Sequence, residues 1–240
     1  MLFSQDARIR NWLPRLQSHR GYIARGAREN SLGSVKAAFE LGYEMAEFDV
    51  RLTSDNVCIL FHDNSFNGKP VNQTTFLELN THTEITKFED LLIWFSGTRE
   101  FKLNVEIKSR DLYNFELEKI VAHLISKYVL EKRIIISSFN PFTLFKIRLF
   151  CPQVYRAILV TMASEGGNNF FTRQLIFNFL CRPHAVHLRF NDFSDQFQRL
   201  AKKIPVVLWT VNDLSEYKKV REQVHGIISD DITPTELNRV

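Results

Sequence analysis

The sequence predicts an α/β fold, a (β/α)8 TIM barrel, and three observations point to it. Its 240 residues suit one large domain, taken as 1–240. Eight short apolar runs recur along the chain, separated by segments with helical spacing. No G-x-G-x-x-G or Walker loop supports the main rival, a doubly wound open sheet.

In order, the strand runs are LQSH (16–19), EMAEFDV (44–50), KLNVEIK (102–108) and RIIISSF (133–139). VYRAILV (154–160), AVHLRF (185–190), PVVLWTV (205–211) and GIISD (226–230) complete the set. Between them, SLGSVKAAFELG (31–42) reads as a helix closed by Gly42. KFEDLLIWF (87–95) is the next. In 111–130, Leu117, Ile120, Val121, Leu124, Ile125 and Tyr128 recur at threes and fours, a buried stripe. PFTLFKIRLF (141–150) opens on a first-turn proline. Segments 168–180, 194–203, 213–224 and 233–240 supply the remaining helices, the last with Thr233 as N-cap.

One hairpin departs from the βα rhythm. EFDVRLTSDNVCILFHD (47–63) turns at Asp55-Asn56 and returns. A two-residue loop there would set Ser54 opposite Val57 and Asp49 opposite His62. Alternation puts Met45, Glu47 and Asp49 on one face, with Phe48 and Val50 on the other. The hairpin extends strand two, and residues 64–85 read as a small insertion above the barrel mouth.

Hydrophobic residues make up 45% and charged residues 24%, which allows a substantial core. The net charge of +4 comes from dispersed Lys and Arg, favouring anionic ligands over a nucleic-acid partner. Cys58, Cys151 and Cys181 have neither disulfide nor metal-knuckle spacing, which points to reduced thiols and a cytoplasmic location. No stretch has the apolar length of a signal core or a transmembrane segment. Oligomeric state is not legible.

Barrel chemistry gathers at the carboxyl ends of the strands. There the chain places His19-Arg20, then Glu47 and Asp49, His62-Asp63, Glu106 with Lys108, Trp209, and Asp230. Singly, each has a structural explanation: an ion pair, a cap, a core filler. Together, Glu47, Asp49 and Glu106 would repel at one rim unless a cation joined them. Oxygen ligands favour Mg²⁺ or Ca²⁺, and zinc only if a histidine enters the set. Arg20 and Lys108 then suit a phosphate, and His19 and His62 can divide acid and base work on it. The residues read as a phosphodiester site.

At these positions the sequence resembles the glycerophosphodiester phosphodiesterase family. The resemblance rests on HRG (19–21), EN (29–30), EFDV (47–50), HD (62–63), EIK (106–108), WTVN (209–212) and GIISD (226–230), in that order. It implies a metal-dependent barrel that hydrolyses glycerophosphodiesters to sn-glycerol 3-phosphate and an alcohol. His19 and His62 become the acid/base pair, Glu47, Asp49 and Glu106 the metal ligands, and Arg20 and Lys108 the phosphate holders. Trp209 would wall the glycerol carbons, Glu29 would lie close to metal and substrate, and Asp230 matches the family's final acidic position.

Three departures stand out. Arg28 replaces the usual proline before EN, a change of loop geometry. NSFNGKPVNQTT (64–75) follows HD where Arg-Thr is usual, and SDDITP replaces TDRP after strand eight. Two alternatives stay open. A lysophospholipase D-type substrate is suggested by 21 Phe and by Phe66, Phe76 and Leu77 in the insertion. A barrel that binds phosphodiesters without cleaving them would have lost a histidine or a metal acid, and this chain has lost neither.

Overall fold

The computed structural model describes residues 2–23, 26–109, 113–162 and 177–239. The parallel strands are β1 (Leu16–Ser18), β2 (Met45–Leu52), β6 (Lys102–Ile107), β7 (Ile134–Ser138), β8 (Tyr155–Val160), β9 (Ala185–Arg189), β10 (Val206–Trp209) and β11 (Gly226–Ser229). They pair in the order β1-β11-β10-β9-β8-β7-β6-β2, and Ser18 opposite Ala46 joins β1 to β2 and closes the barrel. All eight apolar runs are therefore strands. They read as near-continuous hydrophobic runs because a parallel sheet is buried on both faces.

The alternation on β2 sorts its side chains as expected. Phe48 and Val50 face outward into the helix layer, where Phe48 meets the ring of Phe88 at 6.2 Å. Met45 faces inward with Ile135, Ala157, Ala185, Val207 and Ile228. Ile9, Leu13 and Trp12 close this inner cluster from beneath. They belong to or follow a helix, Ile9–Trp12, that the sequence pattern did not announce. Lys102 Nζ donates to the Trp12 carbonyl at 2.7 Å and ties that floor to β6.

Above the apolar floor lies a neutral polar layer. Asn104 Nδ2 donates to Gln17 Oε1 at 2.9 Å, and Ser137 Oγ donates to Asn104 Oδ1 at 2.8 Å. His187 completes it, with burial holding its pKa down to about 3 and hence keeping the ring neutral. Two residues further along β6 comes Glu106, and along β2 come Glu47 and Asp49. The interior thus passes from apolar through polar to ionisable toward the rim.

The hairpin forms, with a register one residue away from the expected one. β3 (Cys58–Leu60) pairs antiparallel with β2 as Val50↔Leu60, Arg51↔Ile59 and Leu52↔Cys58. Thr53 faces Val57, so the loop has three residues, 54–56. Asn56 N donates to Thr53 O at 3.1 Å, and Asn56 takes a left-handed φ of 60°. A turn followed by one left-handed residue is the usual three-residue solution, and asparagine tolerates that φ. The Asp49 carbonyl therefore accepts the Phe61 N–H at 3.0 Å, and His62 lies beyond the ladder.

The insertion holds a two-stranded ribbon, β4 (Ser65–Phe66) and β5 (Lys69–Pro70), and the helix Phe76–His82. Asn67 and Gly68, both with positive φ, make the ribbon's tight turn. Ile59, Phe61, Val71, Leu79 and Ile85 form a small core beneath it. The helices Leu32–Glu40, Phe88–Ser96, Glu116–Lys127, Pro141–Phe150, Asp195–Ala201, Leu214–Val220 and Pro234–Leu237 match the expected segments. Of the expected 168–180 helix, residues 168–176 lie outside the described residues, as do 111–112 of the 111–130 segment; Asn178–Cys181 is helical.

Candidate active site

β1 delivers His19 and Arg20 through a sharp turn. Arg20 and Gly21 take positive φ of 52° and 78°, and a Cβ on Gly21 would lie 2.4 Å from Ser34 Oγ, so only glycine fits. The turn aims the Arg20 N–H at Glu47 Oε2, 2.9 Å away. Its guanidinium reaches Glu29 by Nη1 at 3.0 and 3.1 Å and lies 3.7 Å from Asp49 Oδ2 by Nε.

Glu47, Asp49 and Glu106 meet at the rim, each offering an oxygen within 4.8 Å of the others. Their exposures of 4%, 1% and 7% make the charges expensive unless compensated. Lys108 Nζ compensates in part, 3.0 Å from Asp49 Oδ1 and 2.6 Å from Glu106 Oε1, the latter an ion pair without hydrogen-bond angles. Burial pushes Glu47 up to about 7 and Glu106 up to about 8. Burial also works against the Asp49 carboxylate, but Lys108, His62, Arg20 and Asn30 outweigh it and bring that group down to about 2. One lysine cannot satisfy three acids. A compact, all-oxygen set with protons to spare fits a hard divalent cation.

The two histidines are built alike. His19 Nδ1 lies 2.7 Å from Asp230 Oδ1, and His62 Nδ1 lies 2.8 Å from Asp63 Oδ1. An ionised carboxylate only accepts, so each Nδ1 carries the proton and each Nε2 is left for chemistry. Their surroundings differ. Burial disfavours the charged form of His19, yet the Asp230 bond and the Glu47 charge prevail and raise its pKa. His62 is lowered, by burial and by the charges of Lys108 and Arg20 against the pull of Asp49. Asp230 is itself fixed by Asn212, which donates from Nδ2 to Oδ2 at 2.9 Å and accepts the Asp230 N–H at 2.9 Å.

Trp209 stands at the end of β10, with Phe139 edge-on at 5.7 Å between ring centroids and Lys108 Nζ 5.9 Å from the Phe139 centroid. The indole Nε1–H is buried and has no acceptor among the described residues. An aromatic wall thus borders the cationic side of the site.

All the sequence-predicted residues come to this rim, with Glu29 at its edge. Sequence reasoning missed Phe139 and gave Asn30 and Asn212, quoted in EN and WTVN, no role. Asn30, in a left-handed conformation (φ 51°), clasps Asp49 twice: Nδ2 to Oδ2 at 3.0 Å, and Asp49 N to Oδ1 at 2.8 Å. Its place in the EN pair was the available signal. Arg28 does more than alter the loop. It donates from Nη1 to Thr83 Oγ1 at 2.6 Å and the Glu84 carbonyl at 2.7 Å, tying the first βα loop to the insertion.

Comparison with known proteins gives consistent matches. Residues 19–233 match the glycerophosphoryl diester phosphodiesterase family. A glycerophosphodiester phosphodiesterase of Caldanaerobacter subterraneus is 26% identical over 234 residues, 89% of this chain and 93% of the relative. The crystal structure of the Thermotoga maritima glycerophosphodiester phosphodiesterase is 25% identical with a TM-score of 0.73, covering 95% of this chain and 97% of that one. An Oleispira antarctica phosphodiesterase, solved with the product sn-glycerol-3-phosphate, is 22% identical with a TM-score of 0.70 over 92% of this chain and 94% of its own.

Proposed function

The chain belongs to the glycerophosphoryl diester phosphodiesterase family, and from that premise we propose that it hydrolyses glycerophosphodiesters to sn-glycerol 3-phosphate and an alcohol. One observation carries the reading. Three buried carboxylates lie within 4.8 Å of one another, His19 Nε2 lies 4.0 Å from Glu47 Oε2, and His19 and His62 are each backed by a further carboxylate.

Glu47, Asp49 and Glu106 would hold the cation, Mg²⁺ or Ca²⁺ given the oxygen ligands. A divalent ion there would supply the positive charge that offsets the phosphoryl oxygens. Lys108 and Arg20 bind the phosphoryl oxygens and stabilise the charge that builds on them. His62, whose neutral form burial favours, takes the proton from the glycerol 2-hydroxyl as its oxygen bonds to phosphorus. His19, whose protonated form the Asp230 bond and the Glu47 charge favour, gives its proton to the departing alcohol oxygen as the old P–O bond breaks. The cyclic glycerophosphate so formed is opened by water with the two roles reversed. Trp209 and Phe139 cover the glycerol carbons.

The water-soluble diester is preferred over a lysophospholipid. Of the residues that suggest a lipid, Phe66 and Phe76 pack against the insertion's core, and Leu77 is the exposed one. Closure of the sheet between β1 and β2 supports reading residues 1–240 as one domain. Three buried free thiols suit the cytosol. No helix among the described residues is long and apolar enough to cross a membrane.

The test is release of sn-glycerol 3-phosphate from glycerophosphocholine with Mg²⁺, with Ca²⁺ and with a chelator. Turnover that survives the chelator, or faster cleavage of monoacyl glycerophosphocholine, would replace this reading.

A further inference from the structure

Arg51 follows Asp49 by two residues on β2, on the same side of the strand. Its Nε and Nη2 both donate to the His62 carbonyl, at 2.9 and 2.7 Å. Its Nη1 lies 3.4 Å from the Lys108 carbonyl. The position of these carbonyls matters. The last main-chain bond of the β2–β3 ladder is Phe61 N to Asp49 O, so the His62 peptide lies past the region that pairing holds. Lys108 likewise lies one residue beyond β6 and is tied by its N–H to Val50 O at 3.1 Å. The side-chain anchor of His62 is weak, because Asp63 is 72% exposed and competes with water.

A guanidinium suits this place because its planar fork can hold two donors on one acceptor and aim a third at another. We infer that Arg51 is a positioning residue, fixing the His62 main chain, and through it the imidazole, against the chain end that carries Lys108. The inference rests on the reading of His62 as the proton acceptor. It assigns Arg51 no contact with substrate. A misplacement of the base of about 1 Å is enough to cost on the order of a hundredfold in rate.

The experiment compares Arg51→Met and Arg51→Lys, alone and with His62→Ala, on glycerophosphocholine, with cation affinity measured by calorimetry. Arg51→Met should lower kcat by about 10- to 100-fold while KM and cation affinity stay within about twofold. Arg51→Lys, with one donor arm, should recover part of the loss, as should added guanidinium with Arg51→Met. In the His62→Ala background the same substitution should cost less than about twofold more. An unchanged kcat, or an equal loss without His62, overturns the inference. If Arg51→Met does not fold, Arg51→Lys and Arg51→Gln carry the same comparisons. Absent turnover in the wild-type protein would refute the diesterase reading, and the His62 imidazole resonances would then decide this one. Assigned by their loss in His62→Ala, they broaden or split in the Arg51 variants if the inference holds and keep their wild-type shift and width if it fails.

Discussion

Asp230 Oδ1 lies 2.7 Å from His19 Nδ1, across the seam where the first and last strands of the barrel meet. The contact fixes the tautomer of His19 and favours its protonated form against burial. In Asp230→Asn the amide stabilises the imidazolium less, so the His19 pKa falls. The alkaline limb of the kcat–pH profile should move to lower pH, and kcat should drop about 10- to 100-fold. An unmoved alkaline limb would assign the proton donor elsewhere.

Cation binding should depend on pH in a definite direction. Glu47 and Glu106 have folded pKa values of about 7 and about 8, above the ordinary 4.5, whereas Asp49 at about 2 titrates outside that window. Between these limits the cation-free folded state holds more protons than the unfolded chain, so these groups subtract stability as pH rises. A divalent ion displaces those protons and binds tighter over the same window. The gain in Tm on adding Mg²⁺ or Ca²⁺ should be larger near about pH 8 than near about pH 5.5. Equal gains would contradict the ligand assignment.

Asn30→Ala removes both bonds to the buried Asp49 and leaves its N–H and one oxygen unmatched. A loss of about 1–3 kcal/mol in unfolding free energy is expected, read by denaturant titration, together with weaker cation binding. Asn30→Asp should also lose stability, since a second carboxylate would face the ionised Asp49.

Phe139→Ala opens the aromatic wall beside Trp209 without touching an acid or a histidine. Steady-state kinetics should show KM raised by several-fold and kcat changed by less than about threefold, the pattern of lost uniform binding. An equal fall in kcat alone would place Phe139 in the reaction step.

The eight strands were legible because parallel strands are apolar on both faces, and the site was legible because Glu47, Asp49 and Glu106 interrupt that pattern at the rim. The hairpin register was not. Asp55-Asn56 accommodates a two-residue or a three-residue loop, and the left-handed Asn56, with Thr53 facing Val57, selects the latter. The contacts of Asn30, Arg51 and Asn212 escaped for another reason. Their partners lie 19, 11 and 57, and 18 positions away, and no local pattern encodes such contacts. The helix Ile9–Trp12 is a single turn, too short for periodicity to mark, and its reason is the barrel floor it closes.

The most direct measurement is cation-dependent turnover of the chelator-treated protein with glycerophosphocholine. Activity should vanish without a divalent ion and return saturably with Mg²⁺ or Ca²⁺. Glu47→Gln, Asp49→Asn and Glu106→Gln should each require at least about tenfold more of it. Full turnover in chelator, or wild-type cation dependence in all three variants, would contradict the central claim that these acids together hold the ion on which diester cleavage depends.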